Sequence, residues 1–108
     1  MAMVERFDIY LLNLDEEIAK EAKNTRPCVV VSPDEMNRHL NSVIVAPVST
    51  KTDRYPTRVA VNVLNSERSL VLDQLRTVDK ERLVKRIGSI GKSERKATLD
   101  RLQEMFAE

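Results

Sequence analysis

The chain reads as a small, β-rich α+β domain: an antiparallel sheet that curls, covered by short helices and one C-terminal amphipathic helix. Three observations predict this class. The β-branched run Cys28-Val29-Val30-Val31 lies between Pro27 and Ser32-Pro33, the pattern of a short buried strand. Val59, Val61 and Val63 alternate with Arg58, Ala60 and Asn62, which marks a half-buried strand. From Ser93 onward the period changes, and Leu99, Leu102 and Phe106 fall on one stripe with Met105 beside it, as on a helix with one apolar face.

The remaining elements follow in order. Phe7 to Leu14 alternates loosely and predicts a first strand. Residues 15–26 are polar, with only Ile18, Ala19 and Ala22 able to pack, and are read as an exposed loop with at most one helical turn. Ser32-Pro33-Asp34-Glu35 predicts a helix start, with Ser32 as cap, Pro33 in the first turn and Glu35 reaching back. That helix runs to about Leu40. Ser42 to Val48 predicts a buried strand, and Pro47 near its end predicts an edge or a bulge. Ser49 to Pro56 is a polar loop and Thr57 to Leu64 a strand. Asn65 to Arg68 is read as a turn and Ser69 to Gln74 as a further strand. Asp79 to Arg82 predicts a helical turn capped by Asp79. Val84 to Ile90 returns to extended structure with Gly88 as a bulge, and Ser93 caps the last helix.

With 108 residues and no repeat or linker, residues 1–108 are read as one domain able to bury a core without disulfides. Cys28 is the single cysteine and sits inside an apolar run, where it reads as a small buried hydrophobe in a reducing compartment. No stretch has the length and apolarity of a membrane span, and no signal-peptide pattern opens the chain, so a cytoplasmic protein is expected. The formal net charge of +1 hides an asymmetry. Residues 1–35 carry eight acids against four bases, whereas residues 76–101 carry nine bases against four acids. A polyanion-binding face is therefore permitted. Aromatic residues make up only 4%, which argues against a protein that stacks a long series of bases.

Arg26-Pro27 ahead of the buried strand is the most suggestive local feature. Proline holds the preceding residue extended, and a rigid strand lets a guanidinium be aimed. A fixed guanidinium suits recognition or cleavage of a phosphodiester, although an ordinary surface arginine would have the same sequence. His39, the only histidine, falls at the end of the predicted short helix and is read as a surface residue. Cys28 has no second cysteine or neighbouring histidine with which to form a metal site or an activated thiol.

Three blocks in register resemble the MazF/PemK/Kid family of bacterial toxins. They are Asp8-Ile9-Tyr10 through Leu14-Asp15, then Thr25-Arg26-Pro27-Cys28-Val29-Val30-Val31-Ser32-Pro33, then Leu72-Asp73-Gln74-Leu75-Arg76-Thr77-Val78-Asp79. Val45-Ala46-Pro47-Val48-Ser49-Thr50, Tyr55-Pro56 and Arg86-Ile87-Gly88 stand at family spacing around them. The resemblance implies a barrel-like sheet, a homodimer, and sequence-selective cleavage of single-stranded RNA without metal or other cofactor. The reaction it implies is attack of a 2′-hydroxyl on the adjacent phosphate, leaving a 2′,3′-cyclic phosphate and a 5′-hydroxyl. It also implies a cognate antitoxin whose acidic, disordered tail covers the site.

On these matches Arg26 corresponds to the family's active-site arginine and Glu21, five positions before it, to the candidate base. Ser49 and Thr50 correspond to the hydroxyl pair that contacts the scissile phosphate. Asp73 and Gln74 are candidates for reading a base edge, with satisfaction of backbone amides near Thr77 as the other reading for Asp73. Arg76, Lys85 and Arg86 are candidates for tracking the RNA backbone, or for lining a solvated sheet edge. The chain departs from the pattern after Asp15. Glu16, Glu17, Ile18 and Ala19 replace a Pro-Thr-x-Gly turn, Lys20 stands where some relatives have a histidine, and Val71 where some have an arginine. Two other functions on the same fold therefore stay open: a binding toxin of the gyrase-poison kind, and a degenerate toxin that only pairs with its antitoxin.

Overall fold

A computed structural model describes residues 3–15, 24–52 and 55–107 of the chain. The elements are β1 (Asp8–Asn13), β2 (Thr25–Val30), α1 (Asp34–His39), β3 (Ser42–Ser49), β4 (Arg58–Val63), β5 (Ser66–Val71), a 3-10 turn (Leu72–Gln74), β6 (Arg76–Asp79), a second 3-10 turn (Lys80–Arg82), β7 (Leu83–Ser89) and α2 (Lys92–Phe106). The strands form one antiparallel sheet in the order β4-β5-β3-β2-β1-β7, with β6 also pairing β3. The sheet curls into a half-barrel, as the sequence predicts. Among the described residues no helix is long and apolar enough to cross a membrane.

Strand alternation sorts the apolar residues onto two faces. Ile9, Val29, Ala46, Val59, Val61, Leu70 and Leu72 form one buried cluster, and Ala97, Leu99, Leu102 and Met105 of α2 pack onto it. Tyr10, Leu12, Cys28, Val30, Val43, Val45 and Val78 form a second. β2 is buried on both sides because Val29 joins the first cluster while Cys28 and Val30 join the second. That explains its unbroken apolar run.

β3 is the hub. One side pairs β2; the other pairs β6 over Ser42–Val45 and β5 at Val48 and Ser49. Pro47 was expected at an edge or bulge, yet it lies in the middle of the sheet order. On the forked side it falls between the two ladders, where a residue without an N–H is tolerated. The bulge expected at Gly88 is present: Ile9 pairs Gly88 and Tyr10 pairs Arg86, so Ile87 is extra. Gly88 has a φ of 155°, a conformation that side chains disfavour.

Several local expectations are corrected. Arg26 is the second residue of β2 rather than a residue ahead of it. Ser32 does not cap α1. Its hydroxyl donates to Asn37 Oδ1 at 2.5 Å and accepts from Ile44 N at 3.0 Å, so tertiary bonds take the group that a cap would use. The turn expected over Asn65–Arg68 is tighter, because Leu64 and Asn65 both have positive φ and Val63 pairs Ser66. This is a two-residue hairpin connection. Leu72–Gln74 is a 3-10 turn rather than the end of a strand, and β6 was not foreseen. Asp79 opens the second 3-10 turn without a side-chain cap bond. The cap of α2 is Gly91, not Ser93, and Glu94 Oε1 accepts from Gly91 N at 2.7 Å. Glu94 Oε2 accepts from Asn62 N at 2.8 Å, tying the helix start to β4. Phe106 lies off the packed stripe and is 74% exposed.

Candidate functional site

A cavity of about 630 Å³ opens over the second cluster, with Leu12, Cys28 and Val45 among its lining residues. Its origin is topological. The β2–β3 ladder ends at Cys28 opposite Pro47. Beyond that pair, Thr25–Pro27 stay on β1 while Val48 and Ser49 go to β5. The two strands therefore part, leaving Arg26 and Pro27 on one lip and Ser49 and Thr50 on the other. Gln74, Leu75 and Arg76 follow from the 3-10 turn and β6, and Arg68 from β5. Residues far apart in sequence thus meet because three strands end or fork at one place.

The electrostatics are one-sided. Among the described residues, Arg26, Arg68 and Arg76 have no ion pair and no side-chain hydrogen bond, and Nε of Arg68 is buried without a partner. Among the described residues the lining includes no carboxylate. Ser49 Oγ accepts from Lys51 N at 3.1 Å, which leaves its own proton to donate. Thr50 is exposed. Arg76 acts electrostatically on Cys28, but burial is the larger influence and pushes the thiol up to about 12. At neutral pH the thiol stays protonated, a filler on the cavity floor rather than a nucleophile.

The sequence-predicted residues divide accordingly. Arg26, Ser49, Thr50, Gln74 and Arg76 come together around this cavity. Asp73 lies outside its lining: Oδ1 accepts from Thr57 Oγ1 at 3.0 Å and sits 3.7 Å from Arg58 Nε. Arg86 is also elsewhere. Its Nε donates to Asp8 Oδ1 at 3.0 Å, and Asp8 Oδ2 accepts from Glu5 N at 3.0 Å. The carboxylate holds the Arg86 guanidinium above its ordinary pKa. Burial, followed by the charge of Asp8, raises the pKa of neighbouring Tyr10. Lys85 is an exposed residue of β7. Glu21, the candidate base, lies outside the described residues, as does the departure at residues 16–19. Arg68 was missed because Ser66-Glu67-Arg68 reads as turn; only the tight hairpin at Leu64–Asn65 makes it a strand residue.

The curled antiparallel sheet carries at its strand ends an arginine-and-hydroxyl cavity with the kinds of donor that suit a phosphodiester. A sequence profile of PemK-like, MazF-like toxins of type II toxin–antitoxin systems matches residues 5–106. The chain belongs to that family. Solved structures with the same fold include an endoribonuclease from a mycobacterial species, 21% identical with a TM-score of 0.79, the match covering 96% of this chain and 91% of that one. A MazE–MazF complex from Deinococcus radiodurans is 17% identical with a TM-score of 0.81, covering 99% and 98%. The Mycobacterium tuberculosis toxin MazF-mt6 is 25% identical with a TM-score of 0.75, covering 92% and 95%.

Proposed function

We propose that this chain is a toxin that cleaves single-stranded RNA at a short sequence, by attack of a 2′-hydroxyl on the adjacent phosphate and without a metal ion. The products are a 2′,3′-cyclic phosphate and a 5′-hydroxyl. The observation that carries the reading is the set of three guanidiniums, unpaired among the described residues, around one cavity beside a hydroxyl pair. Arg26 and Arg76 are exposed and Arg68 is half-buried, so cations without a partner among the described residues stand open to a polyanion.

The roles follow from the chemistry. Arg26 stabilises charge on the phosphorane by donating hydrogen bonds from its guanidinium. Ser49 and Thr50 position phosphate oxygens as neutral donors. Arg76 holds the backbone and Gln74 reads a base edge. Glu21 takes the 2′ proton. The hydroxyl pair beside Arg26 favours cleavage over binding alone, since a protein that only binds another protein has no need of donors aimed at a phosphate. The toxin works as a homodimer in the cytoplasm. An antitoxin with an acidic, disordered tail silences it by occupying the same cations.

The test is incubation of folded, antitoxin-free protein with a long single-stranded transcript in EDTA, with mapping of new 5′ ends. Discrete cuts at a repeated motif with 5′-hydroxyl ends are expected, and they disappear in Arg26→Ala. An intact transcript contradicts the proposal.

A further inference from the structure

Arg68 lines the same cavity as Arg26 but reaches it from the lip that carries Ser49 and Thr50. Two registers place it there. Ser69 pairs Ser49, so Arg68 follows where β3 runs out into Thr50, and Arg68 itself pairs Val61 of β4. The two-residue turn at Leu64 and Asn65, both with positive φ, fixes that register. A slip of one residue would turn Arg68 to the other face. Its Nε is buried without a hydrogen-bond partner, and among the described residues the guanidinium has no ion pair. The exposed Glu67 beside it in the chain makes none with it. A buried N–H without an acceptor carries a desolvation cost that a bound anion removes. Val71, where some relatives have an arginine, is buried and outside the cavity lining, so Arg68 is the guanidinium that β5 supplies.

We infer that Arg68 is a second catalytic arginine, bonding one non-bridging oxygen of the scissile phosphate while Arg26 bonds the other. The inference rests on the RNA-cleavage reading and assigns a further group to its transition state. In that reaction the 2′-oxygen bonds to phosphorus as its proton passes to Glu21. The bond from phosphorus to the 5′-oxygen then breaks, and the 5′-oxygen takes a proton from water. Between those events the phosphorane holds two negative charges where the diester holds one. Cations on both lips therefore meet more charge in the transition state than in the bound substrate, which raises the rate more than the affinity. Ser49 and Thr50, as neutral donors, orient the phosphate without answering that second charge.

The experiment compares Arg68→Gln and Arg68→Lys with wild type, in the full chain, on one RNA with a mapped cut. At saturating protein, Arg68→Gln slows single-turnover cleavage about thirtyfold, and Arg68→Lys recovers part of the rate. Both variants keep the wild-type melting temperature. Both also keep the wild-type affinity for the same RNA made uncleavable by a 2′-deoxynucleotide at the cut. A second readout replaces one non-bridging oxygen at the cut by sulfur, in each stereoisomer. Wild type is slowed by both isomers; Arg68→Gln loses its sensitivity to one and keeps it for the other. A wild-type rate in Arg68→Gln overturns the inference, and so does a loss of affinity equal to the loss of rate. Unchanged sensitivity to both isomers, the result of a structural or strand-holding role, overturns it too. Where Arg68→Gln does not fold, Arg68→Lys decides by the same two readouts. An RNA that wild type leaves intact is a different result: it refutes the cleavage reading itself, and this assignment with it.

Discussion

Arg86 and Arg26 occupy neighbouring parts of one sheet and differ in what surrounds them. Arg86 on β7 is bonded to Asp8, a buried acid whose other oxygen accepts from Glu5 N. Arg26 on β2 has no such partner among the described residues, and neither have Arg68 and Arg76 across the same cavity. The first arrangement is satisfied within the protein and holds β1 to β7. The second leaves its charge for something outside. Sequence position does not separate these arginines; the distribution of carboxylates does. A similar contrast exists between Ser49, on the cavity lip, and Ser32, whose hydroxyl is committed to Asn37 and Ile44.

The largest effect is expected at Arg26. Arg26→Ala slows single-turnover cleavage by about 10²–10³ while leaving the melting temperature in place. Arg26→Lys recovers only part of the rate, because a lysine is a point charge without the planar fork. On the satisfied side the readout reverses. Asn37 is buried; its amide donates to Ser32 O at 2.9 Å, its Oδ1 accepts from Ser32 Oγ, and its backbone oxygen accepts from Lys80 Nζ. Asn37→Ala strands the Ser32 groups and costs about 2 kcal/mol in urea unfolding, with the cleavage rate per folded molecule unchanged. Glu94→Ala loses the bonds to Gly91 N and Asn62 N and costs about 1 kcal/mol.

The smallest effect concerns Cys28 and has a definite sign. Its folded pKa of about 12 stands above an ordinary value of 9.0. The unfolded chain therefore ionises first, and the contribution is complete below about pH 9 and lost as pH rises toward 12. Urea midpoints of wild type and Cys28→Ala, compared from neutral pH upward, should converge over that window. A constant difference would show that the thiol does not titrate as its burial requires.

Much of the sheet was legible because burial enforces its own periodicity. Val59, Val61 and Val63 sit on the core face of β4 as their alternation requires, and Cys28–Val30 is unbroken because β2 is covered on both sides. What escaped depended on contacts between distant segments. Ser32 carries every local mark of a cap, yet Asn37 and Ile44 claim its hydroxyl. Leu72-Asp73-Gln74 has a strand-like pattern and closes into a 3-10 turn, which sets Gln74 on the cavity and bonds Asp73 to Thr57. Arg68 was illegible for a related reason: a leucine with positive φ at position 64 is a poor turn signal. Of the candidate site, Arg26, Ser49, Thr50, Gln74 and Arg76 converge, whereas Arg86 and Asp73 find partners elsewhere.

The most direct measurement sets Arg26→Ala beside Arg86→Ala, reading single-turnover cleavage of one mapped RNA and thermal unfolding for each. If unpaired arginines do the chemistry and paired ones hold the fold, Arg26→Ala loses the rate and keeps the melting point. Arg86→Ala, leaving Asp8 buried without its cation, keeps the rate and loses melting temperature. Arg86→Ala losing the rate at an unchanged melting point, or Arg26→Ala cutting at the wild-type rate, would contradict the account.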